Sequence, residues 1–387
     1  MWEKVREEFI LTKNYLNNAA YTPLPLRTIE AIRDFFYEYS KYGPDSDNYY
    51  SEILDKVNKV RKDLSSLLDC EDKEVIFTEG ATQSINFIAH MLPLKKGDEI
   101  VVRDSLQEHP SNYLPWLHLE KVKGIKLKRV KVDKYGYPDL QDIEKAITFK
   151  TKALVITHAL YNLGSIMPVK EIGKLAKEKG ILFIIDGAQT LGCLPLSVKD
   201  INCDFFIFTA SKWICGPLGL GGFYCNKKVG EEILPFCLGD MAVIKYSSTK
   251  YLYRDMPFKL QEGFRNWGLV IALRESLNLI KSLGINNIRE RNKKLVKLLR
   301  EELKGLKGIK FYGPEEEEKR VSILSFTIKG LDTENLVKYL FNKGIVVAKR
   351  RLFRKSIVRV SPHFYNSEEE IKSLIKFLKE NGKGIWQ

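Results

Sequence analysis

Two side chains set the chemical question. The run ILFIID ends at Asp186 and passes into Gly187-Ala188-Gln189, and the run DFFIFT passes into Ala210-Ser211-Lys212-Trp213. Both runs are continuously apolar, as expected of strands buried on two faces, and open α/β sheets collect ligand groups at the carboxyl ends of such strands. A carboxylate and a lysine at adjacent strand ends could be a structural ion pair. They could also be a lysine that forms a Schiff base beside a carboxylate that keeps a heteroaromatic nitrogen protonated. Spacing alone leaves both open.

Two further groups bear on the choice. The run VIFT ends in Glu79-Gly80-Ala81-Thr82, which opens a helix over Gln83–Met91. Its N-terminus points N–H groups and the positive dipole end outward, with the Thr82 hydroxyl as an extra donor for a phosphate. The glycines of GPLGLGG at 216–222 match neither nucleotide-loop pattern and read as a tight hairpin turn. Glu108-His109-Pro110-Ser111-Asn112 follows the exit of a strand at Glu99–Val102. His109 there could stack on a planar ring, or serve only as a structural histidine.

The elements that position these groups are short β-rich runs alternating with helices between about 70 and 225. Strands are expected at Val75–Thr78, Glu99–Val102, Lys126–Val130, Ala153–His158, Leu182–Asp186, Asp204–Thr209 and Gly222–Cys225, with a crossover helix over Pro168–Gly180. This is the grammar of a mostly parallel α/β sheet. After about 270 it changes to a long helical stretch over Val270–Leu306, strands at Val321–Ile328, Ile345–Ala348 and Ile357–Ser361, and helices at Asp332–Asn342 and Ser367–Glu380. That mixture predicts a smaller α+β domain.

Composition narrows the partners. The 387 residues carry 63 Lys+Arg against 49 Asp+Glu, a formal charge of +14, which suits anionic ligands, nucleic acid or an anionic surface alike. No apolar run approaches the ~20 residues of a membrane span, and MWEKVREEF places charges where a secretory peptide has its apolar core, so a cytoplasmic protein is expected. Six cysteines at 70, 193, 203, 215, 225 and 237 show no metal-binding spacing and read as unpaired thiols, with no metal site.

The motifs together resemble the class V aminotransferases, fold-type I pyridoxal-phosphate enzymes that include the cysteine desulfurases. The resemblance rests on YLNNAA at 15–20, FTEGATQSIN at 77–86, EHPSN at 108–112, DGAQ at 186–189, FTASKW at 208–213 and RVSPHFYN at 359–366, in that order. It implies a large domain at 21–270 with a seven-stranded, mostly parallel sheet, a small α+β domain at 271–387, and a segment at 1–20 packing with the small domain. Lys212 would form the Schiff base with the cofactor and Asp186 would pair with its ring nitrogen. Gln189 would meet its phenolic oxygen, and His109 would stack on the ring. Ala81, Thr82 and Thr209 would hold the phosphate, Ser211 would touch the cofactor, and Arg359, with Tyr161 nearby, would bind the substrate carboxylate. QEGFRNW at 261–267 resembles the family's loop to a neighbouring subunit's phosphate, which brings in Gly263 and Phe264 and implies a homodimer.

The departures from the family pattern narrow the activity. Desulfurases accept sulfur on a cysteine of a small-domain loop, but the segment between Val347 and Arg359 has none, and no cysteine follows Cys237. Ser211 stands where desulfurases carry a histidine, Tyr161 where they carry an asparagine, and Phe264 where a threonine is usual. These features look closer to the epimerase-like and C–S lyase branch. The expected activity is Cβ–S cleavage of a cysteine- or cystine-type amino acid, with Lys212 as general base. Transamination or epimerisation is the alternative, and a sulfur-accepting protein partner is left open. A rival of another class is a basic nucleic-acid- or partner-binding protein with a vestigial site. Against it, the basic residues are dispersed and lack interleaved aromatics; the Lys349–Lys355 loop would instead line the pocket entrance.

Overall fold

The computed structural model describes residues 1–43, 46–104, 108–263 and 265–380. Seven strands form one sheet: β1 (Val75–Thr78), β2 (Glu99–Arg103), β3 (Lys126–Val130), β4 (Thr151–Thr157), β5 (Leu182–Asp186), β6 (Phe205–Thr209) and β7 (Gly221–Cys225). Their order is β1-β7-β6-β5-β4-β2-β3. Every neighbouring pair is parallel except those of β7, which runs antiparallel to both β1 and β6.

The apolar runs are continuous because both faces are covered. Phe183, Ile185, Phe206 and Phe208 enter the core on one face, and Ile184, Phe205 and Ile207 the core on the other. Helices α1 (Ala81–Met91), α2 (Pro110–Lys123) and α3 (Val169–Glu178) follow β1, β2 and β4 as crossovers. Gly187 lets the chain leave β5 directly over Phe206. A Cβ there would lie 2.1 Å from that ring.

The helical stretch expected over Val270–Leu306 is two helices, α4 (Trp267–Leu283) and α5 (Ile285–Lys304). They are separated by Gly284 at φ +77°, a conformation that ends one helix and that non-glycine residues rarely adopt. A second, antiparallel sheet contains β8 (Ile309–Tyr312), β9 (Leu324–Ile328), β10 (Ala348–Leu352) and β11 (Lys355–Val360) in the order β8-β9-β11-β10. Leu295 and Leu299 of α5, with Leu374 and Ile375 of the helix Glu368–Glu380, share its core with Phe326, Val358 and Val360.

Two expectations are corrected in this part of the chain. The basic tract Lys349–Lys355 is a hairpin rather than a loop: Leu352 pairs with Lys355 across Phe353 and Arg354, and Phe353 takes φ +52°. Charge concealed the strand, because β10 is a sheet edge, where Lys and Arg block pairing with other chains. The strand expected over Ile345–Ala348 is divided. Ile345–Val346 pairs in parallel with Asn14–Tyr15, and Ala348 begins β10. The N-terminal segment is thereby tied to the second sheet, and Leu16 is buried in that sheet's core. Among the described residues no helix is long and apolar enough to cross a membrane.

Candidate active site

At the carboxyl end of β5, Asp186 lies in register with Thr157 of β4 and Ile207 of β6 and is 5% exposed. One carboxylate oxygen accepts the Ala188 N–H at 2.9 Å. Burial raises its pKa, opposed by the nearby Lys212 charge and that N–H. Lys212 sits on the loop between β6 and β7, half-buried. Burial pulls its pKa down to about 8; Asp186 opposes the shift, and Arg359 and Arg350 add to it. Among the described residues no hydrogen bond or contact ion pair engages its ammonium, so the two groups act on each other across the cavity without closing a salt bridge.

The lysine loop is braced from several directions. Cys215 N–H donates to the Lys212 carbonyl at 2.9 Å, and Thr22 N–H to the Ser211 carbonyl at 2.8 Å. The Trp213 indole N–H donates to Gln189 Oε1 at 2.9 Å, and Gln189 Nε2 donates to the Ala19 carbonyl at 2.9 Å. His363 Nε2 lies 2.9 Å from the Trp213 carbonyl. A carbonyl can only accept, so this nitrogen carries the proton, and burial pulls the His363 pKa down to about 3, leaving the ring neutral.

Beside this loop, Gly80 starts α1 against β7. The backbones approach so closely that a Cβ on Gly221 would lie 2.6 Å from the Gly80 Cα. The Thr82 hydroxyl donates to Ser111 Oγ at 3.0 Å, and Ser111 N–H donates to His109 Nδ1 at 3.2 Å. His109 therefore caps α2 through Nδ1 and holds its proton on Nε2. Burial first, then the charge of Lys212, pulls its pKa down to about 4. Its ring meets Tyr161 edge-on at 4.9 Å. The Thr209 and Ser211 hydroxyls are 3.2 Å apart.

The opposite wall comes from the second sheet. Arg359 is 1% exposed. Its Nη1 donates to the Tyr161 carbonyl at 2.8 Å and its Nη2 to Asn17 Oδ1 at 2.7 Å, while Nε has no partner among the described residues. Arg350 of β10 reaches the same space, and its Nη1 donates to the Lys349 carbonyl at 2.8 Å. Burial holds both guanidiniums below their ordinary pKa, and the charge of Arg350 adds to the effect on Arg359.

These walls enclose a cavity of about 800 Å³. Ala81, Thr82, His109, Tyr161, Asp186, Gln189, Thr209, Ser211, Lys212 and Arg359, drawn from across the chain, all line it. Gly263 does not, and Phe264 lies outside the described residues. None of the six cysteines lines it, and all six are free thiols. Sequence reasoning did not single out Asn17, Ser111 or Arg350. The signal for Arg350 is the inward–outward alternation of Ala348–Leu352, where Lys349 and Arg351 are exposed and Arg350 is not.

The family model for class-V aminotransferases matches residues 14–374, almost the whole chain. The chain belongs to the class-V aminotransferase family. This class-V chain is 32% identical to a probable cysteine desulfurase of Methanothermobacter thermautotrophicus, with 98% of this chain and 97% of that protein covered. Its fold superposes on an apo cysteine desulfurase of Thermococcus onnurineus with a TM-score of 0.92, at 29% identity and over 99% and 98% of the two chains. The cystine C–S lyase C-DES, solved with its product cysteine persulfide, shares the fold at a TM-score of 0.88 and 22% identity, over 95% and 98% of the two chains.

The family is pyridoxal-phosphate-dependent, and the donor set of the cavity suits that cofactor. A desolvated amine can attach an aldehyde, and a buried carboxylate can hold a pyridinium proton. A helix N-terminus with the hydroxyls of Thr82, Thr209 and Ser211 can take a phosphate.

Proposed function

We propose that this class-V enzyme cleaves the Cβ–S bond of a cysteine- or cystine-type amino acid by elimination. One observation carries the reading: the Lys212 amine, its pKa lowered to about 8 by burial, shares its cavity with Asp186 and two arginines but with no cysteine. A sulfur-relay mechanism needs a thiol that reaches the substrate; elimination needs only a base at Cα.

Pyridoxal phosphate, when bound, supplies a conjugated ring that accepts the electron pair left at the amino acid's Cα. In this reading Lys212 would be the attachment point for the cofactor, and its free amine would be the base for the Cα proton. Asp186 would hold the proton on the ring nitrogen, and its buried position would let that hydrogen bond form without competition from water. His109, its Nδ1 occupied by the Ser111 N–H, would offer its neutral ring for stacking on the cofactor and keep Nε2–H as a donor. Gln189 has one amide N–H left for the phenolic oxygen after serving Ala19 and Trp213. The hydroxyls of Thr82, Thr209 and Ser211 and the N–H groups opening α1 bind the phosphate. The Arg359 side chain, oriented by Asn17 and the Tyr161 carbonyl, binds the α-carboxylate through a charge-assisted pair.

On this reading residues 21–270 carry the cofactor, and the segments 1–20 and 271–387 close over the substrate. The enzyme works as a homodimer. The hairpin through Val243–Tyr246 and Tyr251–Tyr253 supports this by leaving Ile244, Tyr246, Tyr251 and Leu252 at least half exposed, as a surface that packs against another chain would be. The six free thiols support a reducing, cytoplasmic setting.

The assay is release of pyruvate and ammonia by the loaded enzyme from cystine, cysteine and related sulfur amino acids. Product from at least one of them is expected. No pyruvate from any, with the visible band of the cofactor present, would sink the elimination reading.

A further inference from the structure

We propose that Arg350 forms a second anion subsite, which selects amino acids whose side chain carries an acid group of its own. The inference rests on the reading of the cavity as an amino-acid site and specifies the substrate class within it.

Placement is the first argument. Within the basic tract, strand alternation turns Lys349 and Arg351 outward, where Lys349 pairs with Glu334 at 2.6 Å and Arg351 Nε donates to the Phe353 carbonyl at 2.8 Å. Arg350 alone of the tract lines the cavity. Ala348 is paired with Arg359 and Arg350 with Ile357. Arg350 and Arg359 are therefore diagonal neighbours on one face of the hairpin, a spacing of about 7–8 Å between their backbones. Both side chains line the one cavity, so two anionic groups of one small molecule can meet them together.

Charge is the second argument. Among the described residues neither guanidinium meets an acid: their hydrogen bonds run to the carbonyls of Tyr161 and Lys349 and to the Asn17 amide. Among the described residues the only carboxylates lining the cavity are Glu79, which is exposed beside the opening of α1, and Asp186, whose field falls on Lys212. A substrate with a single carboxylate compensates the wholly buried Arg359 and leaves Arg350 partly desolvated beside another cation. A second acid group compensates both. Partial burial strengthens such a pair relative to a surface contact, because water screens it less.

Binding can be read without turnover by using amino acids that lack a Cα proton. The holoenzyme is titrated by calorimetry with α-aminoisobutyrate, which has one acid group, and with α-methylaspartate and α-methylglutamate, which have two. The expected result is roughly tenfold to hundredfold tighter binding of at least one diacid, with the ratio falling as salt is raised. Arg350→Gln is expected to bring that ratio to within about twofold of unity while leaving α-aminoisobutyrate binding unchanged, and Arg350→Lys to keep part of it. Equal binding of all three ligands by the wild type overturns the subsite while leaving the amino-acid site intact. Equal weakening of mono- and diacids in Arg350→Gln also overturns it, by assigning Arg350 to the α-carboxylate. Loss of bound cofactor in Arg350→Gln, followed by absorbance, assigns it to the phosphate and overturns the proposal too. If none of the ligands binds, the amino-acid site itself is wrong. A failure confined to pyruvate release touches the elimination reading and leaves the subsite standing.

Discussion

The two walls of the cavity are built by different means. The wall from the large sheet presents groups at the ends of buried parallel strands and at a helix N-terminus. Asp186, Lys212 and His109 are all shifted by burial toward their neutral forms. The wall from the small sheet presents two arginines across one hairpin. Burial lowers their pKa as well, but a guanidinium starts so high that it stays charged. The same desolvation thus creates groups able to exchange protons on one wall and fixed charge on the other. The first arrangement suits chemistry, the second recognition. Substitutions on the large-sheet wall should accordingly act on kcat, and those on the small-sheet wall on KM.

Lys212→Ala tests that division most severely. It should lower pyruvate release by more than about 10³-fold and remove the cofactor's covalent visible band, since it deletes both attachment point and base. Retention of the band would break the central assignment. Asp186→Asn should cost about 10²-fold or more in kcat at nearly constant KM, because a neutral amide holds the ring-nitrogen proton poorly. Arg359→Lys keeps the charge but loses the two-point fork, so KM should rise about tenfold to hundredfold with kcat little changed. A fall in kcat larger than the rise in KM would show that this arginine belongs with the chemical wall.

The pH dependence of cofactor capture sharpens the same contrast. Only the neutral amine of Lys212 attacks an aldehyde, and its pKa is lowered to about 8, so the neutral fraction grows as pH rises through that value. Stopped-flow mixing of apo-protein with pyridoxal phosphate should give a capture rate that climbs through pH 8 and levels above it. An ordinary lysine would keep accelerating toward about pH 10.4. The smallest expected effect is that of Lys349→Ala. It lies on the outward face of the strand that carries Arg350, and its exposed pair with Glu334 should leave kcat and KM within about twofold of wild type. A larger change would mean that the tract's charge acts collectively and not through Arg350.

Legibility differed between the walls for a physical reason. The strands of the large sheet are buried on both faces, so runs such as LFIID and FFIFT announced themselves as apolar segments. Their ends located Asp186 and Lys212, and the motifs around them made the family resemblance visible. The edge strand Ala348–Leu352 carries Lys349, Arg350 and Arg351, and its period-two pattern is hidden when charge is read as solvent exposure. Its inward residue therefore reads as part of a loop. Asn17 escaped for another reason: its Oδ1 orients an arginine 342 positions away, a pairing to which no local pattern points.

The sequence by itself determined the chemical types available, the buried strands that carry them, the resemblance to the class-V family, and the lack of any cysteine beyond Cys237. These follow from local periodicity and residue identity, which need no knowledge of neighbours in space. The tertiary structure decided that Lys212 and Asp186 face each other without closing a salt bridge, and that His109 caps a helix through Nδ1. It also decided that Arg350 joins Arg359 at one cavity while the rest of the basic tract turns away. Those outcomes depend on strand register and on which surfaces meet, and register is set by cross-strand pairing between segments far apart in the chain.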